Sequence, residues 1–242
     1  MLNIVTALKI EADPIIKKYN LKCYNNVYQN KYINLIITGQ GKIKSAINTA
    51  LLLNQFKFPT LNIGIAGSNK YNINKGFFID KIIDYDTNLE YFPDFFPKKS
   101  TTLTTISKIG KYFSLTDMEG SGFFEACYKF LNVNEIILYK IVSDTLKNPI
   151  NKQEIPNLIS THLEIIDFLL DNIQTKKDIN KEVEEYLQKA KEKMHLTQTQ
   201  ENELKNLFYY LIVSNKKIPY FPKIKQKKEV SKFLNYLTNL IS

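Results

Sequence analysis

The first two thirds of the chain alternate short apolar runs with stretches in which apolar residues recur every three to four positions. Short apolar runs between turn residues are typical of buried strands, and the longer spacing is typical of amphipathic helices. The pattern predicts strands at residues 2–7, 32–38, 60–66, 77–84, 100–106 and 136–143, and helices at residues 11–19, 45–54, 119–131 and 158–173. Strands that alternate with helices indicate an α/β fold.

Beyond residue 174 the pattern predicts helices alone: one at residues 181–194, a second whose apolar stripe extends from Leu204 to Ile212, and a third at residues 229–240. Thr197 is a candidate N-cap for the second of these, and Pro219 and Pro222 interrupt the chain before the third. We therefore expect an α/β domain at residues 1–174 and a helical C-terminal extension at residues 175–242 that packs on it.

The basic excess of the chain is a weak indication of a nucleic-acid partner. The formal net charge is +9, but all 33 basic residues are lysine, which is typical of an AT-rich genome. Residues 175–242 contain 14 lysines against 8 acidic residues. A solvated helix face explains this excess better than a nucleic-acid site does, although a basic patch for nucleic acid or an acidic partner stays open.

No apolar run approaches the roughly 18 residues of a membrane span, and the first strand lacks the features of a signal peptide. We expect a cytoplasmic protein without membrane contact. Two cysteines, Cys23 and Cys127, and two histidines, His162 and His195, do not form a ligand pattern, so we expect buried thiols and no metal.

Two glycine turns are predicted, one at residues 39–41 after a strand and one at residues 64–67 where a strand ends. The first lacks the third glycine of a dinucleotide fingerprint, and no phosphate-loop motif occurs, so we expect neither NAD nor ATP and no other cofactor. Both turns lie at the carboxyl ends of strands, where α/β sheets bind ligands, but a simple turn role is about equally probable from sequence alone.

Three carboxylates are candidate catalytic groups. Glu119 opens a helical pattern within Asp117-Met118-Glu119-Gly120, and Asp144 closes a strand pattern. Cleavage of an N-ribosidic bond needs a carboxylate that holds the ribose hydroxyls, an acid for the departing base and a base for water. Glu119, Asp144 and Glu11 can fill these roles; a surface charge or helix cap is the alternative for each.

Five segments occur in the order seen in the nucleoside phosphorylase superfamily: residues 7–11, 38–42, 64–67, 117–119 and 143–144. Over residues 1–173 the chain resembles this superfamily, and in particular the 5'-methylthioadenosine/S-adenosylhomocysteine nucleosidases. The resemblance implies a three-layer α/β/α domain with a central mixed sheet, a homodimer, and hydrolysis of the N-glycosidic bond of a purine nucleoside or 5'-thionucleoside. It also implies that Glu119, beside Met118, holds the ribose, that Asp144, oriented by Ser143, protonates the base, and that Glu11 activates water.

The resemblance further implies that Gly39, Ala66 and Gly67 border the substrate and that a residue near the short stretch between Thr105 and Met118, either Phe113 or Thr104, covers the base. An aromatic segment at residues 91–97 falls where relatives build the pocket for the 5' substituent, but it could equally be a rigid loop at the edge of the core.

Two positions depart from the family pattern. Ile65 stands where many members have serine, and Lys140 stands where many have arginine and could act at the water. Because the chain has no arginine for a bidentate grip on phosphate, hydrolysis is favoured over phosphorolysis. The alternatives are a purine nucleoside phosphorylase, or a noncatalytic nucleoside-binding or interaction protein with a decayed site.

Overall fold

A computed structural model describes residues 1–95, 99–108, 110, 113–149, 151–214, 216–224 and 227–241. The chain divides into two units, Met1–Leu170 and Asp171–Ser242. The strands are β1 Leu2–Thr6, β2 Lys22–Tyr24, β3 Val27–Gln29, β4 Ile33–Ile37, β5 Thr60–Ser68, β6 Gly76–Asp84, β7 Glu90–Tyr91, β8 Ser100–Thr105, β9 Thr116–Asp117 and β10 Ile136–Thr145. The helices are α1 Lys9–Lys18, α2 Lys42–Gln55, α3 Gly120–Tyr128, α4 Ile155–Ser160, α5 Glu164–Lys191, α6 Gln198–Val213 and α7 Lys227–Ile241.

The strands form one mixed sheet, as predicted. Strand β1 lies parallel to β4 and β5, and β5 lies parallel to β10. Strand β10 also pairs antiparallel with β6, so that β5, β9, β8, β6 and β10 close into a ring. The β2–β3 hairpin extends the opposite edge through β4. The ring was not predicted, because the sequence pattern does not report which strands pair.

Both faces of the sheet are covered by helices. Ile4 and Val5 are neighbours in β1 and therefore point to opposite faces, yet both are fully buried. The Val5 side packs with Leu52 of α2 and Phe123 of α3, and α1 and α4 pack against each other and against strands. The predicted three-layer α/β/α arrangement is confirmed. None of the helices in the described part of the chain has a stretch apolar and long enough to cross a membrane.

The predicted helix at residues 158–173 was wrong in its bounds. Helix α4 ends at Ser160, and α5 begins at Glu164 and continues to Lys191. In the intervening turn, His162 Nδ1 lies 2.8 Å from the hydroxyl of Tyr139, and Nε2 lies 3.2 Å from Asn74 Oδ1. We attribute the break to these contacts. The sequence pattern also left residues 174–180 between two predicted helices. No proline or glycine interrupts these residues, and α5 continues through them.

The second unit has a core of its own. Residues of α5, α6 and α7 bury an apolar cluster that includes Val183, Leu187, Leu204, Phe208, Leu211, Phe221, Phe233, Leu234 and Leu237. Thr197 caps α6 as predicted: its hydroxyl accepts a hydrogen bond from Gln200 N–H at 3.3 Å. The helical nature of the extension is confirmed, whereas its predicted boundary and its packing on the first unit stay predictions.

The two cysteines differ in environment. Cys127 is buried in α3, as predicted, and burial raises the pKa of its thiol. Cys23 is exposed on β2, so the prediction of a second buried thiol was wrong. The short β2–β3 hairpin was not predicted from the sequence.

Candidate active site

A cavity of about 310 Å³ lies at the carboxyl ends of the parallel strands β1, β5 and β10. This is where open α/β sheets bind ligands. Seven of the ten residues named from the sequence line it: Glu11, Ala66, Gly67, Met118, Glu119, Ser143 and Asp144. The structure therefore brings all three candidate carboxylates to one cavity.

Glu11 reaches the cavity from the first turn of α1. Its Oε2 accepts a hydrogen bond from Leu8 N–H at 2.7 Å, and its Oε1 accepts one from Ile65 N–H at 2.9 Å. Burial raises the pKa of this carboxyl, while the two backbone donors oppose the rise. Ile65 has no polar side chain, but its backbone N–H holds the candidate base in place.

Gly64 makes room for this carboxylate. A Cβ atom at position 64 would lie 2.9 Å from Glu11 Oε1, which is closer than side chains normally approach. The glycine turn predicted at residues 64–67 is part of strand β5, and the glycine at position 64 is explained by the close approach of Glu11 to the backbone of this strand.

Glu119 lies immediately before α3 and is held by the first glycine turn. Its Oε1 accepts a hydrogen bond from Gly41 N–H at 2.8 Å. Gly39 and Gly41 have φ angles of +83° and +105°, which other residues rarely adopt, and this backbone path directs the Gly41 donor at Glu119. Gly39 supports the turn and is not among the residues that line the cavity.

The pKa of Glu119 is raised to about 7, first because the side chain is buried and second because Asp117 is close by. Asp117 had not been named as a site residue. Its Oδ1 accepts a hydrogen bond from Thr105 at 2.8 Å, and its Oδ2 accepts one from Gly120 N–H at 2.9 Å. The sequence signal for Asp117 was its position two residues before Glu119, in a segment whose Gly120 opens a helix.

Lys140 lies beneath the cavity in β10, where its Nζ is 2.9 Å from Asp117 Oδ2. The side chains of Lys140 and Asp117 are only 2% and 0% exposed. Burial lowers the pKa of Lys140, but the charges of Asp117, Glu119 and Glu11 outweigh it and leave the pKa above its ordinary value. A lysine inside an otherwise apolar strand is thereby paired, as a buried charge has to be.

Asp144 reaches the cavity through a β-bulge. The register between β10 and β5 shifts between Val142 and Asp144, so that Asp144 lies opposite Gly67. Such bulges redirect side chains at the ends of strands. The Ser143 hydroxyl donates a hydrogen bond to Asp144 Oδ1 at 2.5 Å, which orients the carboxylate.

No protein-family model and no curated protein matches the chain. Solved structures do. The 5'-methylthioadenosine nucleosidase of Arabidopsis thaliana in apo form has a TM-score of 0.60 at 16% identity, over 69% of this chain and 94% of its own. The 5'-methylthioadenosine/S-adenosylhomocysteine nucleosidase of Campylobacter jejuni has a TM-score of 0.58 at 15% identity, over 70% of this chain and 96% of its own. The chain has the nucleosidase fold.

A futalosine hydrolase of Helicobacter pylori also has this nucleosidase fold, with a TM-score of 0.57 at 15% identity, over 71% of this chain and 98% of its own. The matched share of this chain, 69% to 71%, is close to the share that the first unit makes up, which is 170 of the 242 residues. A shared fold does not by itself assign an activity, so the activity has to follow from the site residues.

Phe113 is not among the residues that line the cavity. Its ring packs against Tyr85 with 5.4 Å between centroids, and its N–H donates to Thr116 Oγ1 at 2.8 Å. Ile106 and Gly110, from the same stretch, line the cavity instead. Residues 109, 111 and 112 of this stretch lie outside the described residues.

The aromatic segment at residues 91–97 contributes no described residue to the cavity. The Tyr91 hydroxyl donates a hydrogen bond to Glu125 Oε1 at 2.5 Å, and Phe92 is exposed. Residues 96 and 97 lie outside the described residues. A pocket for a 5' substituent in this segment stays a prediction.

Three further residues that sequence reasoning missed line the cavity: Gln40, Lys152 and Ile155. Gln40 Nε2 lies 3.0 Å from the sulfur of Met118. Lys152 and Ile155 come from the segment that follows β10. No local sequence signal marks Lys152 and Ile155, because the fold alone returns this segment to the cavity, whereas Gln40 lies within the glycine turn at residues 39–41.

Proposed function

We propose that this protein hydrolyses the N-glycosidic bond of a purine nucleoside or 5'-thionucleoside and releases the free base. The observation that carries the proposal is that Glu11, Glu119 and Asp144 line a single cavity within the nucleosidase fold. A cavity of about 310 Å³ is within the size range of small-ligand sites. The nucleosidase of H. pylori, which has this fold, was solved with 5'-methylthioadenosine in its active site.

In the proposed reaction, the Asp144 carboxyl gives a proton to N7 of the purine. The electron pair of the bond between C1' and N9 then leaves with the base, and positive charge develops on the sugar. Glu11 takes a proton from a water molecule whose oxygen forms the new bond to C1'. The two backbone donors on Glu11 hold its carboxylate in a fixed direction for this step.

Glu119 is proposed to accept hydrogen bonds from the ribose hydroxyls. Bonds to an ionised acceptor are stronger than neutral ones, so the ionised form of Glu119 grips the sugar best. With a pKa of about 7, a substantial fraction of this carboxyl is ionised at neutral pH.

Water is favoured over phosphate as the attacking group. The described cavity is lined by four acidic side chains, Glu11, Asp117, Glu119 and Asp144, and by one basic side chain, Lys152, so acidic groups outnumber basic ones and disfavour a phosphate dianion. The ammonium of Lys140 is buried against Asp117 and so is not presented to a ligand. This charge balance, together with the absence of arginine from the sequence, supports hydrolysis over phosphorolysis.

A homodimer is part of the proposal. Helix α2 exposes a stripe of three apolar side chains spaced four residues apart, Ile43, Ile47 and Leu51, which are 75%, 56% and 54% exposed. Residues at this spacing lie on one face of a helix, and an exposed apolar face of this kind is typical of a protein–protein contact. We propose that a second copy of the chain covers this stripe.

The experiment that tests the activity is chromatographic detection of free base from methylthioadenosine, S-adenosylhomocysteine, futalosine, adenosine and inosine, with and without phosphate. We expect phosphate-independent release from at least one of them. Asp144→Asn should lower kcat about 10²- to 10⁴-fold, because the variant cannot protonate the base. Asp13→Asn, which changes an exposed carboxylate of α1, is the matched control.

The other outcomes assign the alternatives. Release that requires phosphate would identify a phosphorylase. Nucleoside binding without turnover, measured by calorimetry, would identify a binding protein with a decayed site. Equal activity in Asp144→Asn and Asp13→Asn would contradict the proposed acid.

A further inference from the structure

The loop between α6 and α7 presents an aromatic ring to solvent. Tyr220 is 79% exposed, more than any other large hydrophobic side chain in the described part of the chain. An aromatic side chain with this exposure buries little apolar surface and contributes little to folding. Its position therefore calls for another explanation.

The loop that carries Tyr220 is anchored by the residues that follow the ring. The neighbouring Phe221 is buried and packs against Phe208 and Phe233, with ring centroids 5.4 and 6.3 Å apart. Ile224 N–H donates to Lys193 O at 2.9 Å, which fastens the loop to the end of α5. Pro219 and Pro222 restrict the backbone further. The ring is thus presented on a fixed backbone.

One lysine contacts this ring, and two more lie in the same loop. Lys193 Nζ lies 3.9 Å from the ring centroid of Tyr220, and Lys217 and Lys223 are exposed in the same loop. Lys193, and to a lesser extent Lys223, lower the pKa of the Tyr220 hydroxyl. Because a cation covers only one face of a ring, the high exposure of Tyr220 leaves the other face to solvent. Residues 216–232 of the sequence contain seven lysines and one acidic residue.

We propose that Lys193, Lys217, Tyr220 and Lys223, here called the Tyr220 surface, bind single-stranded nucleic acid. A base stacks on the open face of the ring, and the lysines contact the flanking phosphates. A duplex keeps its base faces stacked on one another and so cannot use the ring in this way. The neighbouring Phe221 is buried in the core and so is not available to enter a membrane. The inference does not rest on the proposed nucleosidase activity.

The test is fluorescence anisotropy of labelled 15-residue oligo(dT) and oligo(U) with the full chain at several salt concentrations. We expect both to bind, and the affinity to fall with salt with a logarithmic slope of about −2, since each lysine–phosphate contact on a single strand contributes about −0.7. The two oligonucleotides distinguish DNA from RNA as the preferred strand. A 15-base-pair duplex should bind more weakly.

Matched variants assign the binding to the proposed surface. Tyr220→Ala should weaken binding about 5- to 100-fold through the loss of stacking, whereas Tyr210→Ala, which removes a 57% exposed tyrosine of α6, should not. Lys223→Gln should make the salt slope shallower by about 0.7, and Lys181→Gln, on α5, should leave it unchanged. Circular dichroism checks that each variant is folded.

Several results would overturn the inference. One is the absence of oligonucleotide binding at low salt. Another is equal affinity of Tyr220→Ala and Tyr210→Ala, which would mean that scattered lysines bind nonspecifically. A third is binding to vesicles of anionic phospholipid without binding to oligonucleotides, which would assign the surface to a membrane.

Discussion

The carboxyl group of Glu119 is buried beside Asp117, and its pKa rises from a usual value of 4.5 to about 7. Between these two pH values the folded protein holds a proton that the unfolded chain releases. The protonated carboxyl of Glu119 therefore contributes its full stabilisation of the folded state below pH 4.5, and this stabilisation is lost as the pH rises through 7. The loss amounts to roughly 3 kcal/mol.

Glu119→Gln removes this pH dependence, because the amide stays neutral at every pH. We expect the free energy of unfolding of the variant, relative to that of the wild-type protein, to rise by roughly 2 to 3 kcal/mol between pH 5 and pH 8. Urea unfolding at the two pH values measures the difference. Glu203→Gln, which changes an exposed carboxylate of α6, should show no such rise. A pH-independent difference for Glu119→Gln would refute the raised pKa.

Gly64→Ala tests the close approach of Glu11 to β5. The added methyl group would lie 2.9 Å from Glu11 Oε1 and displace the carboxylate, so we expect a loss of about 1 to 3 kcal/mol in the free energy of unfolding. In a Glu11→Ala background the same glycine change should cost less, since the clash is gone. Additive effects in this double-mutant cycle would show that the two residues do not press on each other.

At the scale of the elements, α2 and α3 pack closely because of a glycine. A Cβ atom at Gly122 would lie 2.2 Å from the carbonyl oxygen of Lys42, so only glycine lets the backbones approach this closely. The Lys42 side chain forms ion pairs with Asp84 and Asp86 at 3.0 and 2.6 Å. Gly122 and the two ion pairs of Lys42 together hold the first residue of α2 in place. The glycine turn directly before α2 supplies the Gly41 N–H that donates to Glu119.

Helix α6 depends on a capping box. Thr197 Oγ1 accepts from Gln200 N–H, and Gln200 Oε1 accepts from Thr197 N–H at 3.1 Å. Thr197→Ala should lower the free energy of unfolding of the second unit by about 1 kcal/mol. Thr199→Ala, inside the first turn of the same helix, should be neutral or slightly stabilising, because alanine is the better helix former. Thermal unfolding compares the two variants, and equal effects would argue against the cap.

At the scale of the whole molecule, the exposed stripe of α2 predicts self-association. Ile47→Asp places a charge at the centre of the stripe, so we expect a shift from dimer to monomer in size-exclusion chromatography with light scattering. Val213→Asp, at a 51% exposed apolar position of α6, should leave the dimer intact. A wild-type protein that is monomeric at micromolar concentration would contradict the proposed homodimer.

The sequence by itself determined the order and type of most elements. Hydrophobic periodicity predicted the six longer strands and helices α1, α2 and α3 to within a few residues, because burial on one face imposes a period on the chain. The helix predicted at residues 158–173 was divided between α4 and α5. The threonine N-cap of α6 was also readable, since a capping box is a local interaction. Glu11, Glu119 and Asp144 could be named because each follows or begins a predicted element.

Only the tertiary structure decided how distant segments meet. The pairing of β10 with both β5 and β6 closes the ring of strands, and no local pattern encodes it. The ion pair of Lys140 with Asp117, the turn at His162 and the packing of Phe113 on Tyr85 all join residues far apart in the chain or on different elements. Such contacts form only when the whole chain folds, because their free energy depends on shared burial and not on the propensity of either segment.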